Sequence, residues 1–344
     1  MSAIMITGKD IIKIAAVATG AVVLKSAVGR PRQYDLNNKT VLITGGSRGL
    51  GLVLAREFAR EGARLVICAR DEQELEQARL DLENFGAGVM TVPCDVTDRQ
   101  SVQQMMAAVT ERFGAVDVLV NNAGVIQVGP IELMTAEDFE QAMQAHFWGP
   151  LNTIMAVLPS MRRKHAGRII NISSIGGKVS VPHLVPYSAS KFALVGLSKG
   201  LRSELLKDGI VVTTICPGLM RTGSPRNADF KGKHRLEYAW FSISDALPLL
   251  TVSAENAARQ IIAACKQGRA ELVISIPAKV AVVFDSLFPE FSSQILALTN
   301  RFLPSAGGVG AERRKGRESN SAWSPSWLTS LNEEAAVRNN EVLH

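Results

Sequence analysis

Tyr187 and Lys191 stand four residues apart in the run Tyr187-Ser188-Ala189-Ser190-Lys191. On a helix that spacing puts a phenol and an ammonium on one face, one turn apart. A free tyrosine titrates at about 10, and a neighbouring cation favours the phenolate and draws the value toward neutrality. The pair could then act as a general acid or base, handing a proton to a carbonyl oxygen or taking one from an alcohol. The same spacing also occurs on solvated helices that do no chemistry. Two hydroxyls, Ser173 and Ser174, follow a run ending Arg168-Ile169-Ile170-Asn171-Ile172, which sets them at the carboxyl end of a strand, where α/β sheets bind ligands.

A further candidate is the turn Thr44-Gly45-Gly46-Ser47-Arg48-Gly49-Leu50-Gly51, which precedes a helical run from Leu52 to Arg60. Glycines remove the Cβ atoms that would keep the backbone away from a phosphate, and the helix offers its N-terminal N–H groups and dipole to an anion. Its spacing departs from G-x-G-x-x-G, so on its own an ordinary glycine-rich turn stays open as the lesser reading.

These motifs occur together. Gly45-x-x-x-Gly49-x-Gly51, Asn121-Asn122-Ala123-Gly124, Ser174, Tyr187-x-x-x-Lys191 and Pro217-Gly218 follow one another in the order and approximate spacing of the short-chain dehydrogenase/reductase family, which the chain resembles from about Leu36 to Ser275. The resemblance implies an α/β fold, a Rossmann-type doubly wound parallel sheet of seven strands, that binds a nicotinamide dinucleotide. It implies that Ser174 rather than Ser173 is the active hydroxyl, that Asp95 and Val96 lie near the adenine, and that the Asn121–Gly124 loop, with Asn122, Ala123 and Gly124 at the cofactor, supports the central strand. It also implies that Thr222, after Pro217-Gly218, contacts the cofactor near the nicotinamide. Asp95 reads alternatively as a turn cap. The stretch Gly177-Lys178-Val179 through Leu194 is similar to the hydroxysteroid dehydrogenase branch of the family, which does not by itself name a steroid.

Charge bears on which dinucleotide is bound. An NAD site places an acid at the end of the second strand for the ribose 2′-hydroxyl. Here the strand ends Ile67-Cys68-Ala69-Arg70, and Arg48 lies in the phosphate turn, so two guanidinium groups could meet a 2′-phosphate. NADP(H) is the expected cofactor; the plainer reading is that Arg70 caps a loop and Arg48 faces solvent. One position departs from the family. His146, in Ala145-His146-Phe147-Trp148-Gly149, stands where the family has an asparagine that holds a proton-relaying water chain. An imidazole could serve a modified relay as a further catalytic group, or could only fill a helix interface.

The elements that must carry these residues are legible as alternation. Short β-branched runs near Val41–Thr44, Arg64–Cys68, Val89–Val92, Val116–Val120, Arg168–Ile172, Val211–Ile215 and Glu271–Ile274 alternate with helical periods, as in βαβ units around a parallel sheet. We expect an N-terminal apolar extension over residues 1–35, one domain over residues 36–276, apolar helices over residues 277–304 and a polar, largely disordered tail over residues 305–344. Residues 219–250 break the rhythm and are expected to form a substrate lid; its Tyr238, Trp240, Phe241, Leu247 and Leu249 suit a moderately large apolar substrate, or a core or interface.

Composition excludes other classes. The chain has 344 residues, 47% of them hydrophobic, and a net charge of +6 with its basic residues scattered, which argues against a nucleic-acid partner. Its four cysteines form no Cys-x-x-Cys pair, so neither a metal site nor disulfides are expected. Within Ile11–Val28 only Ile14 to Leu24 is free of charge, short of the roughly 20 residues that span a bilayer. That segment reads as a docked helix or as a peripheral membrane contact, and a signal peptide fits it loosely. The overall expectation is a cytoplasmic, or peripherally membrane-associated, NADP(H)-dependent enzyme acting on a small-molecule carbonyl or alcohol as a homodimer or homotetramer. The alternative is a dinucleotide-binding regulator or scaffold that has lost turnover, with His146 as its motive.

Overall fold

The computed structural model describes residues 33–342 apart from Ala87 and Leu249. The chain divides into two units, Met1–Tyr34 and Asp35–His344, and the segment Ile11–Val28 lies outside the described residues. Within the second unit, β1 (Thr40–Thr44) leads into α1 (Gly49–Arg60), β2 (Arg64–Ala69), α2 (Glu72–Glu83), β3 (Val89–Pro93), α3 (Arg99–Phe113) and β4 (Val118–Asn121). Then follow α4 (Ala136–Met143), α5 (Gly149–Lys164), β5 (Gly167–Ile172), α6 (Val185–Leu205), β6 (Ile210–Pro217), α7 (His234–Ser244), α8 (Ala254–Gln267) and β7 (Glu271–Ile274).

The seven strands form one sheet in the order β7-β6-β5-β4-β1-β2-β3, every neighbouring pair parallel. All seven runs read from the alternation are strands of this sheet. Helices cover it, and a strand buried on both faces must be apolar throughout rather than alternating; every residue of β1 is buried. On one face, Leu42, Val66, Leu119, Ile169 and Val212 of the sheet pack against Val102, Met105 and Val109 of α3 and Ile154, Val157 and Met161 of α5. Side-chain caps start the helices: Asp71 accepts from the Gln73 and Glu74 N–H groups at α2, Asp98 from Gln100 at α3 and Ser253 from Asn256 at α8, each satisfying donors that the helix leaves free.

The order reverses between β1 and β4, so the loops at their carboxyl ends diverge and open a crevice. The glycine turn follows β1, Asn121–Gly124 follows β4, Ser174 follows β5 and Pro217-Gly218 ends β6, so every motif lies at that one edge. Between α4 and α5 the helix widens into a π-helical turn, Gln144–Trp148, with His146 buried within it. Such turns insert an extra residue and re-aim side chains.

Beyond β7, α9 (Ile276–Leu287) and α10 (Pro289–Asn300) form a helical pair. Among the described residues no helix is long and apolar enough to cross a membrane. Residues 219–250 carry a short strand, Met220–Arg221, paired with Val252–Ser253, then Asp229–Phe230 and α7.

The tail corrects the expectation of disorder. Arg314–Lys315 pairs antiparallel with Asp229–Phe230, which pairs in turn with Gln127–Val128, and Ser330–Arg338 forms α11. Large apolar residues are scarce there, so composition misses it. What orders it is polar and small-residue contact: Arg56 donates to the Arg338 carbonyl at 2.9 Å, Arg226 pairs with Glu333 at 2.7 Å, and Ala335 and Ala336 are fully buried.

Candidate active site

Thr44, the last residue of β1, ties two motifs together. Its hydroxyl accepts the Asn122 N–H at 3.0 Å and the Ala123 N–H at 3.1 Å, while the Asn122 side-chain amide donates to the Thr44 and Gly45 carbonyls at 3.1 and 3.0 Å. The glycine turn and the Asn122–Gly124 loop are therefore one unit. A Cβ on Gly51 would overlap the Gly45 carbonyl, and Gly45 and Gly49 have φ of +63° and +55°, which only glycine adopts without strain. Asp95 uses its Oδ1 on its own turn, accepting the Thr97 N–H at 2.9 Å and hydroxyl at 2.8 Å; Val96 beside it is buried. Arg70 is exposed at the end of β2.

The two serines separate. The Ser173 N–H donates to the Ile215 carbonyl at 2.7 Å and its hydroxyl to the Lys191 carbonyl at 3.0 Å, so it is committed to the frame. Ser174 accepts the Gly176 N–H at 3.0 Å, and its hydroxyl lies beside the Tyr187 phenol and favours its ionised form. The Lys191 ammonium lies 5.6 Å from the centre of the Tyr187 ring and donates to the Ile172 carbonyl at 3.0 Å. Ser174, Tyr187 and Lys191 thus converge from β5 and α6 as the spacing predicts.

Their electrostatics correct the simple sequence argument. Burial pushes the Tyr187 phenol up to about 12, against a smaller downward pull from the Ser174 hydrogen bond, and draws Lys191 down to about 7. Desolvation disfavours both charged forms and is the largest influence on each, so at neutral pH the phenol holds its proton.

Residues 39–231 match the family described as short chain dehydrogenase. This chain belongs to the short-chain dehydrogenase family. It is 31% identical over 298 residues to "Dehydrogenase/reductase SDR family member 7B" of Danio rerio, covering 84% of this chain and 95% of that one. It is 43% identical over 199 residues to "Dehydrogenase/reductase SDR family protein 7-like" of Anopheles gambiae, over 56% of this chain and only 62% of that relative's length. The solved L-sorbose reductase of Gluconobacter frateurii, complexed with NADPH and L-sorbose, superposes with a TM-score of 0.63 at 28% identity, covering 70% of this chain and 97% of the other.

Members of this oxidoreductase family use a nicotinamide dinucleotide, and the residues of this short-chain dehydrogenase fit such a group. The test is a carboxyl group already seated on the turn. The buried carboxylate of Glu341 lies against Gly49 at the N-terminus of α1 and 3.4 Å from Arg48, the position in which a helix start holds a phosphate. Arg48 also pairs with Glu74, whose other oxygen accepts the Ser47 hydroxyl at 2.9 Å. Sequence alone does not single out Glu74, because it looks like one more acid on an exposed helix start; only the fold turns it toward the phosphate turn.

Other residues of the short-chain dehydrogenase site are equally hidden. A buried polar ladder crosses the sheet beside the catalytic edge: Thr153 donates to Asn121 at 2.6 Å, Asn121 to Asn171 at 2.9 Å, Asn171 to Ser198 at 3.1 Å, and Thr214 to Ser198 at 2.7 Å. His146 accepts the Val125 N–H at 3.1 Å through Nε2, lies 2.8 Å from the Ser190 hydroxyl through Nδ1, and meets the Tyr187 ring edge-on at 5.4 Å. Burial and the Lys191 charge hold it well below the usual imidazole range.

Within residues 219–250, Tyr238 and Phe241 are core residues packed with Val128, Leu184 and Phe230, and the partly buried Val181, Tyr187 and Trp240 adjoin that cluster. Among the described residues no group of His, Cys, Asp or Glu is arranged to hold a metal.

Proposed function

We propose that this chain is an NADPH-dependent oxidoreductase that moves a hydride between nicotinamide and the carbon of a carbonyl or alcohol, with Tyr187 as general acid and base. The observation that carries this reading is the convergence of Ser174, Tyr187 and Lys191 on the sheet edge that also presents the glycine turn. Gly45, Ser47, Arg48, Gly49, Leu50 and Gly51 hold the phosphates, Arg48 and Arg70 the 2′-phosphate, Asp95 and Val96 the adenine side. Asn122, Ala123, Gly124, Pro217, Gly218 and Thr222 line the nicotinamide side, with Tyr187 and Lys191 reaching the same cofactor. Bound there, the nicotinamide supplies the hydride in reduction and accepts it in oxidation.

The chain's own residues manage the proton. The Tyr187 phenol, held protonated at neutral pH, hands its proton to the substrate oxygen as that oxygen gains charge, and Ser174 donates a hydrogen bond to the same oxygen. A protonated phenol is the form that acts as acid in reduction, and the phenolate it leaves is the base that oxidation needs. Val181 and Trp240, partly buried beside Tyr187, are the apolar side chains that a moderately large apolar substrate would meet. Absence of an acid at the end of β2, and the NADPH in the solved relative, support NADPH over NADH.

The experiment measures consumption of NADPH and of NADH across a panel of ketones and aldehydes, with Tyr187→Phe as control. A higher kcat/KM with NADPH and a loss of roughly 10²–10⁴ in kcat for Tyr187→Phe are expected. Equal efficiency with NADH overturns the cofactor assignment. Tight binding of NADPH with no Tyr187-dependent turnover favours a regulator or scaffold instead.

A further inference from the structure

The glycine turn is covered by this chain's own C-terminal segment. The Gly49 N–H, the first donor of α1, goes to the Asn339 carbonyl at 2.8 Å. The Asn340 amide donates to the Ser47 and Glu74 carbonyls at 3.0 and 3.2 Å. The Glu341 carboxylate lies against Gly49, takes a hydrogen bond from Asn227 and faces Arg48. On the opposite wall of the groove, the Gly223 N–H donates to Asn332 at 3.0 Å, the Thr222 carbonyl accepts from Asn339 at 3.4 Å, and Ala336 sits so close to Gly223 that a Cβ there would overlap it.

Residues 332–341 therefore span the groove from the phosphate turn to the loop of Thr222. They satisfy the backbone donor and occupy the guanidinium that a dinucleotide needs. A helix start and its arginine cannot serve the Glu341 carboxyl group and a pyrophosphate at once, because the two groups need the same space and the same donors.

We propose that the C-terminal segment Ser330–Val342 is an intramolecular competitor of the dinucleotide, docking in the cofactor groove with the Glu341 carboxylate on the phosphate turn, so that cofactor enters only when the segment leaves. This rests on the oxidoreductase reading above. The segment works as a tethered ligand: its effective concentration is fixed by the chain, and the apparent affinity for cofactor is reduced by the fraction of molecules in which it is docked. Release would uncover the turn and Thr222 together, since the same ten residues hold both walls.

The test is the dissociation constant of NADPH, read by nucleotide fluorescence, for the full chain and for two full-length variants that disturb docking in different ways. Ala336→Arg cannot fit against Gly223, and Glu341→Ala removes the carboxyl group from the turn. Both are expected to bind NADPH at least about tenfold more tightly than the unmodified chain, given a docked fraction above about nine-tenths. A synthetic peptide of residues 328–344 added to Ala336→Arg should weaken its NADPH binding competitively. Trypsin should cut at Arg338 faster when NADPH is present.

Equal, measurable dissociation constants in all three chains overturn the competitor and leave the oxidoreductase reading standing. Tighter binding by the unmodified chain than by either variant also overturns it, since the segment then clasps the cofactor. No binding of NADPH or NADH by any of the folded chains overturns the oxidoreductase reading, and the competitor with it.

Discussion

The His146 ring accepts the Val125 N–H at Nε2, so its hydrogen resides on Nδ1 and goes to the Ser190 hydroxyl, which donates in turn to the Tyr187 carbonyl at 2.8 Å. Both nitrogens are thus committed to holding α6 against the loop after β4, and a ring bonded in this way and shielded from water has no nitrogen left for a proton chain. A positioning role follows: His146 fixes the backbone that carries Tyr187. Lys191, drawn down to about 7 by burial, is the member of the Ser174, Tyr187 and Lys191 set that titrates near neutrality. Its ammonium is present below that value and lost above it, so a reaction that needs the cation slows as pH rises through about 7. The profile of kcat/KM against pH should keep that limb in His146→Asn, with kcat lowered only about three- to tenfold by looser placement of the phenol. Disappearance of the limb in the variant would mean that the imidazole itself titrates, and the relay reading would return.

At the scale of elements, the ladder Thr153–Asn121–Asn171–Ser198–Thr214 links β4, β5 and β6 to α5 and α6, the helices that flank the catalytic edge. Buried amides are costly to leave unpaired, about 1–3 kcal/mol for each lost partner. Asn171→Ala strands the Asn121 amide and takes away one of the two donors to the Ser198 hydroxyl, which keeps Thr214, and should lower stability by about 1–3 kcal/mol in urea unfolding. A loss below about 1 kcal/mol would show that water or a rearranged side chain takes the place of the amide. Nothing local in the sequence announces this ladder. Asn171 stands in a β-branched run, and its partners are 27 and 50 residues away. The strands themselves were legible because fully buried parallel strands are unbroken apolar runs, and the Tyr187–Lys191 face because helical spacing is local. The π-helical turn at His146, the inward aim of Glu74 and the charge states of Tyr187 and Lys191 were not, since each depends on what tertiary packing brings up against it.

For the molecule as a whole, the tail is the least legible part and couples most to the site. Burial raises the Glu341 carboxyl from its ordinary 4.5 to about 7; the charges of Arg48 and Arg226 and the hydrogen bond from Asn227 oppose the rise, and Glu74 adds to it. A released tail in water has an ordinary carboxyl, so between about pH 4.5 and 7 docking takes up a proton. The sign follows: docking is strongest on the acid side and weakens as pH rises through this window, by up to about tenfold per unit. If docking competes with cofactor, the ratio of the NADPH dissociation constants of the unmodified chain and Glu341→Gln falls as pH is raised from about 5 to 7 and levels off above it. Taking the ratio cancels titration of the nucleotide's own 2′-phosphate, which both chains see alike. A ratio that stays flat across this range would mean that Glu341 is charged when docked, held by Arg48 and Arg226 strongly enough to offset its burial. A ratio that rises would put the protonated carboxyl on the released tail, the reverse of what its burial against Gly49 requires.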